Sequence, residues 1–135
     1  MAGKLDYEYC QAAPVLEWMS RKWALVVLLR MEEACGTDRV RKADGDDGGI
    51  RFGDLFRSIP QISEKVLAAT LDYLEGEGLV DRYVSSHVCP HVSYRLMPLA
   101  ADFLREISYV IEWGQLHFSE IERGRRKHCV NTDKQ

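Results

Sequence analysis

Five residues within one short stretch have side chains that could contact nucleic acid. The stretch reads QISEKVLAA, and the five are Gln61, Ser63, Lys65, Ala68 and Ala69. A glutamine amide can bond adenine edges, a serine hydroxyl or lysine ammonium can contact phosphate or guanine, and alanine methyl groups allow close approach to thymine methyls. The chemistry that this pattern could support is therefore recognition of base edges in a DNA groove.

Four further residues are candidates for contacts to the phosphate backbone: Arg51, Arg82, His91 and Arg95. An alternative that the sequence leaves open is that Arg82 and Arg95 pair across a hairpin with Asp81 or Glu77. Residues 50–97 contain five basic and six acidic side chains, which gives a net charge of −1. We therefore expect only modest electrostatic attraction between one chain and DNA.

Metal binding and catalysis have weaker support. His87, Cys89 and His91 alternate along the segment HVCPH, which would place three possible metal ligands on one side of an extended strand. Pro90 disturbs that geometry and a fourth ligand is missing, so we expect exposed loop residues and no metal. The sequence also contains no nucleophile with a nearby base and no phosphate-binding glycine loop. We therefore predict that the protein is not an enzyme, with no catalytic residues and no cofactor.

The composition is that of a soluble globular protein. The chain has 135 residues, of which 46% are hydrophobic and 29% charged, with a net charge of −3. This length suits one domain, 1–135, and the longest apolar run, 23–29, is far shorter than the ~20 residues that cross a bilayer. No secretory signal is recognisable, and the four cysteines are far apart. We expect a cytoplasmic protein with free thiols and no membrane partner.

The outer parts of the chain are predicted to be helical. Apolar residues at helical spacing predict helix formation over 11–34, with a break near Ser20, and over 98–122, where Pro98 suits the first position of a helix. Segment 36–49 is rich in glycine and aspartate and has almost no apolar residues, so we expect a surface loop.

The middle of the chain is predicted to contain two short helices followed by a hairpin. Residues 54–76 hold the helices, the first capped by Asp54 and the second by Ser63, and 79–96 hold two strands. The second helix should bury a leucine stripe formed by Leu67, Leu71 and Leu74. This order predicts an α+β, mainly helical, winged helix-turn-helix, whose second helix can enter a major groove. The alternative is a winged-helix protein-interaction module without specific DNA binding.

The residues resemble those of the HxlR-type transcriptional regulators, a bacterial winged-helix family with an architecture like that of the MarR regulators. The resemblance runs from Cys10 to about Gly114. It rests on Cys10 twelve residues before Lys22, on KWALVVLLR, on RFGDLFRSIPQISEKVLAATLDYLEGEGLVDR, on CPHVSYRL and on EWG. The chain departs from the family where Ala68 and Asp72 replace a threonine and a basic residue that members often have.

The resemblance implies a homodimer in which the N- and C-terminal helices pair, and an activator or repressor that binds a roughly palindromic operator in double-stranded DNA. On this basis we expect dimer contacts from Trp18, Phe103, Tyr109, Val110 and Trp113. An alternative role for the aromatic residues near the two termini is to line a pocket for a small effector.

Cys10 is a candidate redox sensor, because an N-terminal cysteine at this position senses oxidants or electrophiles in several members of the family. Sensing requires an accessible thiol with thiolate character, which Arg21 or Lys22 could promote. The alternative is an ordinary buried cysteine that packs against the first helix.

Overall fold

A computed structural model of the chain describes residues 11–35, 49–85 and 88–132. Cys10 and residues 36–48 of the predicted loop lie outside these ranges. The chain divides into two compact units, with the boundary between Ala101 and Asp102. The elements in chain order are α1 Ala13–Ser20, α2 Lys22–Cys35, β1 Ile50–Arg51, α3 Phe52–Ser58, α4 Glu64–Gly76, β2 Val80–Val84, β3 Val92–Leu96, α5 Pro98–Leu116 and α6 Phe118–Thr132.

Helices α2 and α4 both contribute completely buried side chains to the core of the first unit. Helix α2 packs against α3, α4 and β3, and none of its residues from 23 to 29 is exposed. The predicted leucine stripe of α4 is confirmed, because the side chains of all three leucines are almost completely buried. The orientation of α4 is therefore fixed by apolar contacts inside the protomer.

The first two helices are separated at Arg21, which confirms the predicted break near Ser20. Arg21 has an extended backbone, with φ −92° and ψ 99°, and its N–H donates to the carbonyl of Trp18. The Ser20 hydroxyl donates to the carbonyl of Glu17 at 2.8 Å. Such a local bond competes with the helical backbone pattern, which favours an end to α1 at this point.

The prediction that Asp54 caps α3 was wrong. Strand β1 passes directly into the helix, which begins at Phe52, and Arg51 is the capping residue without a side-chain hydrogen bond. Asp54 lies in the first turn, where a negative charge is favourable, and it pairs with Arg57 one turn later. The helix ends at Ser58, two residues before Pro60.

The hairpin follows α4 after a turn that requires a left-handed backbone. Gly78 has φ +75°, and the N–H of Leu79 donates to the carbonyl of Leu74 at 3.0 Å. The sheet is antiparallel with the order β1-β3-β2, and Val80 and Val84 pair with Leu96 and Val92 respectively. These features confirm the α+β winged helix-turn-helix fold.

The predicted final helix, from Pro98 to about residue 122, is instead two helices. Helix α5 ends at Leu116, and α6 extends to Thr132. At the junction His117 Nδ1 lies 2.8 Å from the carbonyl oxygen of Trp113, which also accepts the N–H of His117. A side chain that binds the helix backbone in this way competes with the regular hydrogen-bond pattern.

Candidate nucleic-acid interface

Helix α4 has one buried and one exposed side. Opposite the leucine stripe, the exposed side carries Lys65, Ala68 and Asp72. Positions 65 and 72 are two helical turns apart, so their side chains leave the helix in nearly the same direction. Because the leucines hold the other side in the core, this exposed face has a defined orientation on the surface of the first unit.

The residues that precede α4 fix its start. The Ser63 hydroxyl accepts a hydrogen bond from the N–H of Val66 at 3.1 Å, which confirms Ser63 as the N-cap. The hydroxyl proton is still available as a donor to a phosphate or base. Gln61 is exposed and has φ +69°, a conformation that non-glycine residues adopt at some energetic cost. The turn therefore holds an amide side chain at the start of the exposed face.

Ala69 lies at the edge of this face and borders a groove between α4 and the start of α2. The groove has a volume of about 340 Å³. Helix α4 lines it with Val66, Ala69, Thr70 and Tyr73, and the other side is formed by Arg21, Lys22, Trp23 and Ala24. Arg21 and Lys22 therefore add two positive charges close to α4. They lie outside residues 50–97, whose net charge is −1. The sequence feature that indicates this positive charge is the adjacent basic pair Arg21 and Lys22 at the helix break.

The end of α1 is tied to the last turns of α4 and the residue after it. The indole N–H of Trp18 donates to Glu77 Oε2 at 3.1 Å, and Arg21 forms an ion pair with Glu17 at 3.1 Å. The Arg21 guanidinium also lies over the Tyr73 ring, 4.0 Å from its centroid. These contacts give α4 a second attachment besides its leucine stripe.

The Tyr73 hydroxyl is buried and makes no hydrogen bond within the described residues. Because the Arg21 guanidinium stacks on the ring face, its attraction for the phenol is electrostatic and does not amount to a hydrogen bond. Burial raises the pKa of Tyr73, and the nearby carboxylates of Glu17 and Glu77 raise it further, while Arg21 acts in the opposite direction. The pKa of Arg21 is raised chiefly by its hydrogen bond to Glu17.

The two hairpin arginines that are candidates for phosphate contacts have different surroundings in the structure. Arg95 lies 3.9 Å from Asp81, its register partner on β2, and 5.1 Å from the centroid of the Tyr83 ring, so it has partners inside the sheet. Arg82 is exposed and forms no ion pair with any described residue. The alternative of pairing across the hairpin therefore has support for Arg95 and none for Arg82.

His91 and Arg51 both lie near the start of β3, because His91 directly precedes that strand and Arg51 pairs with Ser93. The backbone of His91 closes the hairpin, because its N–H donates to the Ser85 hydroxyl and its carbonyl accepts from the Ser85 N–H, both at 2.9 Å. Its side chain is half-buried, whereas that of Arg51 is exposed. Cys89 is an exposed free thiol, and His87, the first of the three possible metal ligands of the hairpin, lies outside the described residues.

The residues predicted to form the dimer interface fall into two groups. Trp18 and Phe103 are only 8% and 9% exposed within the single chain. In the second unit Tyr109, Val110 and Trp113 are exposed, and the Trp113 ring stacks on His117 with 4.4 Å between centroids. Only the latter three offer a large apolar surface for a second copy of the chain.

Comparison with known sequences agrees with this geometry. Residues 18–122 match the HxlR-like helix-turn-helix family. The chain belongs to that family. It is 31% identical to the HTH-type transcriptional regulator YtfH of Escherichia coli, itself uncharacterized, across 88% of this chain and 83% of the relative. The HxlR-type resemblance is therefore confirmed, and membership of a family of helix-turn-helix transcriptional regulators favours DNA binding over an isolated interaction module.

Solved structures support the same fold. The YtfH regulator of Salmonella typhimurium has 29% identity and a TM-score of 0.65, with 93% of this chain and 99% of that chain covered. The redox regulator HypR in its oxidized form has 26% identity and a TM-score of 0.59, with 78% and 95% covered. In the part of the HxlR-like chain that the structure describes, no helix has the length and hydrophobicity needed to span a bilayer.

Proposed function

We propose that this HxlR-like regulator acts as a homodimer that binds a roughly palindromic operator, with α4 of each protomer in the major groove and the β2–β3 hairpin beside it. The observation that carries this proposal is the exposed face of α4, where Lys65 forms no ion pair with any described residue. Two such helices in a dimer would meet half-sites about one helical turn apart.

The residues before and along α4 would contact different groups of the DNA. Gln61 and Ser63 precede the helix and would bond an adenine edge and a phosphate respectively. Lys65 would contact phosphate or guanine, and the small side chains of Ala68 and Ala69 would let the helix approach thymine methyls. Arg51, Arg82, His91 and Arg95 are the candidates for the flanking backbone. Arg82 is the strongest of these because it is exposed and unpaired among the described residues.

A salt titration of operator binding tests the role of Lys65. The Lys65→Ala variant should bind less tightly than the wild type, and the negative slope of log K against log salt should become shallower by about 0.9 if Lys65 neutralises one phosphate. Arg30→Ala is the charge-matched control, because Arg30 is exposed on α2 and pairs with Glu33. An unchanged affinity and slope for Lys65→Ala would remove Lys65 from the interface.

Binding to DNA upstream of the protein's own gene separates the two remaining alternatives. A regulator should give saturable binding that survives an excess of nonspecific competitor DNA. If binding at low salt is entirely competed away, the operator proposal fails and a protein-interaction role takes its place.

We also propose control of DNA binding by thiol oxidation at Cys10, which the likeness to the redox regulator HypR supports. Diamide should release the wild-type protein from its operator, and Cys10→Ser should remain bound. Cys89→Ser is the control for the exposed thiol of the hairpin. Complete release of the Cys10→Ser variant by diamide would exclude Cys10 as the sensor. A small effector is the other candidate signal, and the groove beside α4 is one cavity that could receive it.

A further inference from the structure

Asp72 is the acidic residue of α4 that lies in line with Lys65 on the exposed face. It lies seven residues after Lys65, and at 1.5 Å per residue the two side chains are about 10 Å apart along the helix axis. Ala68 lies between them on the same face and is exposed too. If α4 follows the major groove, this distance corresponds to about three base-pair steps. Asp72 would therefore face a different base pair from Lys65.

Asp72 has no cation to pair with among the described residues. The positions three and four residues away along α4 are Ala68, Ala69, Glu75 and Gly76, so no ion pair within the helix is available. None of the ion pairs between described residues includes Asp72. Its carboxylate is an exposed acceptor on the face that we assign to DNA.

A carboxylate on that face cannot contact phosphate favourably, because both groups are negative. In the major groove it can only accept hydrogen bonds, and the N4 amino group of cytosine is the donor with which aspartate and glutamate pair. Guanine O6 and N7 and thymine O4 are acceptors and would repel it, and adenine presents its N6 donor directly beside its N7 acceptor, which opposes a carboxylate there. The residue would thus lower the affinity for most sequences and spare those with cytosine at one position.

We propose that Asp72 is a specificity-determining residue that accepts a hydrogen bond from a cytosine N4 amino group in each operator half-site. The inference rests on the proposed operator binding and adds the identity of one base. Residues 50–97 have a net charge of −1. With little general attraction for phosphate, selection among sequences depends more on the contacts to base edges.

Selection from a library of random duplexes tests the inference, with the full-length wild type, Asp72→Asn and Asp72→Ala at one fixed salt concentration. The wild type should enrich cytosine about tenfold at one position of each half-site. Asp72→Asn should change that preference to adenine, because an asparagine amide bonds adenine N6 and N7 together. Asp72→Ala should lose the preference at that position, because sequences without cytosine there should bind more tightly than they bind the wild type. The other positions should keep their preferences.

Glu75→Gln is the matched control, since it removes one negative charge from an exposed residue of α4 that lies off the line of Lys65 and Asp72. It should raise the affinity for all sequences without changing any preference. Identical preferences for the wild type and Asp72→Asn would overturn the assignment of Asp72 while leaving operator binding intact. A wild type that enriches no sequence over the starting library would overturn both proposals.

Discussion

Helices α4 and α6 have similar lengths, 13 and 15 residues, but they are stabilised differently. Helix α4 has a capping serine and buries the leucine stripe on one side. None of the residues of α6, all of which lie in the described part of the chain, is buried. The only ion pair within α6 among the described residues joins Glu122 and Arg126 at 3.2 Å, and exposed pairs of this kind add only about 0.3–0.5 kcal/mol.

This difference shows which helix can serve as a fixed surface in a single chain. The buried side of α4 sets the direction in which Lys65 and Asp72 point, so a DNA-binding face can be present before any partner binds. Helix α6 has no comparable internal contact, although Phe118 and Val130 are large apolar residues with more than half of their surface exposed. In the proposed homodimer, the second copy of the chain would supply the burial that α6 lacks.

The largest expected difference between the two helices is in the free energy of unfolding. Leu71→Ala in α4 should lower it by about 2–5 kcal/mol, because the substitution leaves a cavity around a side chain that is 1% exposed. Val130→Ala in α6 should change it by less than about 0.5 kcal/mol. Urea unfolding followed by circular dichroism measures both values. Equal losses for the two variants would mean that α6 contributes to folding as much as α4.

The next largest effect should be on self-association. Trp113→Ala removes an aromatic side chain that is 56% exposed in the single chain. If this side chain is central to the dimer interface, association should weaken by about 2 kcal/mol, which is roughly thirtyfold in the dissociation constant. Sedimentation equilibrium provides the measurement. Tyr83→Ala, an aromatic residue of β2 that is 38% exposed, is the control and should not alter association.

Local sequence signals predicted the elements whose cause is local. The leucine spacing of α4 and the Ser63 cap act over a few residues, and both are present as expected. The start of α3 was missed because β1 runs into it without a loop, so Asp54 is inside the first turn. The end of α5 was missed for a related reason, since neither proline nor a run of glycines marks His117.

The candidate site was less predictable, because it depends on contacts between segments that are distant in the sequence. The bond between Trp18 and Glu77 joins residues 59 positions apart. The stacking of Arg21 on Tyr73 likewise brings the end of α1 to α4. Residue types alone also could not decide between the two roles of Arg95, which depend on its distance from Asp81.

A smaller effect is expected for the cap of α4. Ser63→Ala should lower the free energy of unfolding by about 1 kcal/mol, because the N–H of Val66 would then have no side-chain acceptor. Ser108→Ala is the matched control on α5, where the hydroxyl donates to the carbonyl of Arg105 within the helix. That change should stay within about 0.5 kcal/mol. Thermal and urea unfolding measure the free energy of unfolding of both variants. Similar losses of stability in the two would show that the cap does not stabilise α4.

The smallest effect at neutral pH is expected for Tyr73→Phe, which removes the hydroxyl that has no hydrogen-bond partner among the described residues. Because the substitution breaks no hydrogen bond, the free energy of unfolding should stay the same or rise slightly. The two proteins should differ in alkaline solution. The pKa of Tyr73 is raised above its ordinary value of 10.0 in the folded state, so the unfolded chain releases this proton first as the pH rises.

Stability that depends on the neutral phenol is therefore fully present below pH 10 and is lost as the pH rises above it. Urea unfolding of the wild type and Tyr73→Phe at pH 8 and pH 10.5 isolates this contribution, because all other titrating groups are common to both proteins. The wild type should lose more stability than the variant between the two pH values. Equal losses would mean that the phenol titrates alike in the folded and unfolded chain, and that burial at the junction of α1 and α4 does not hold its proton.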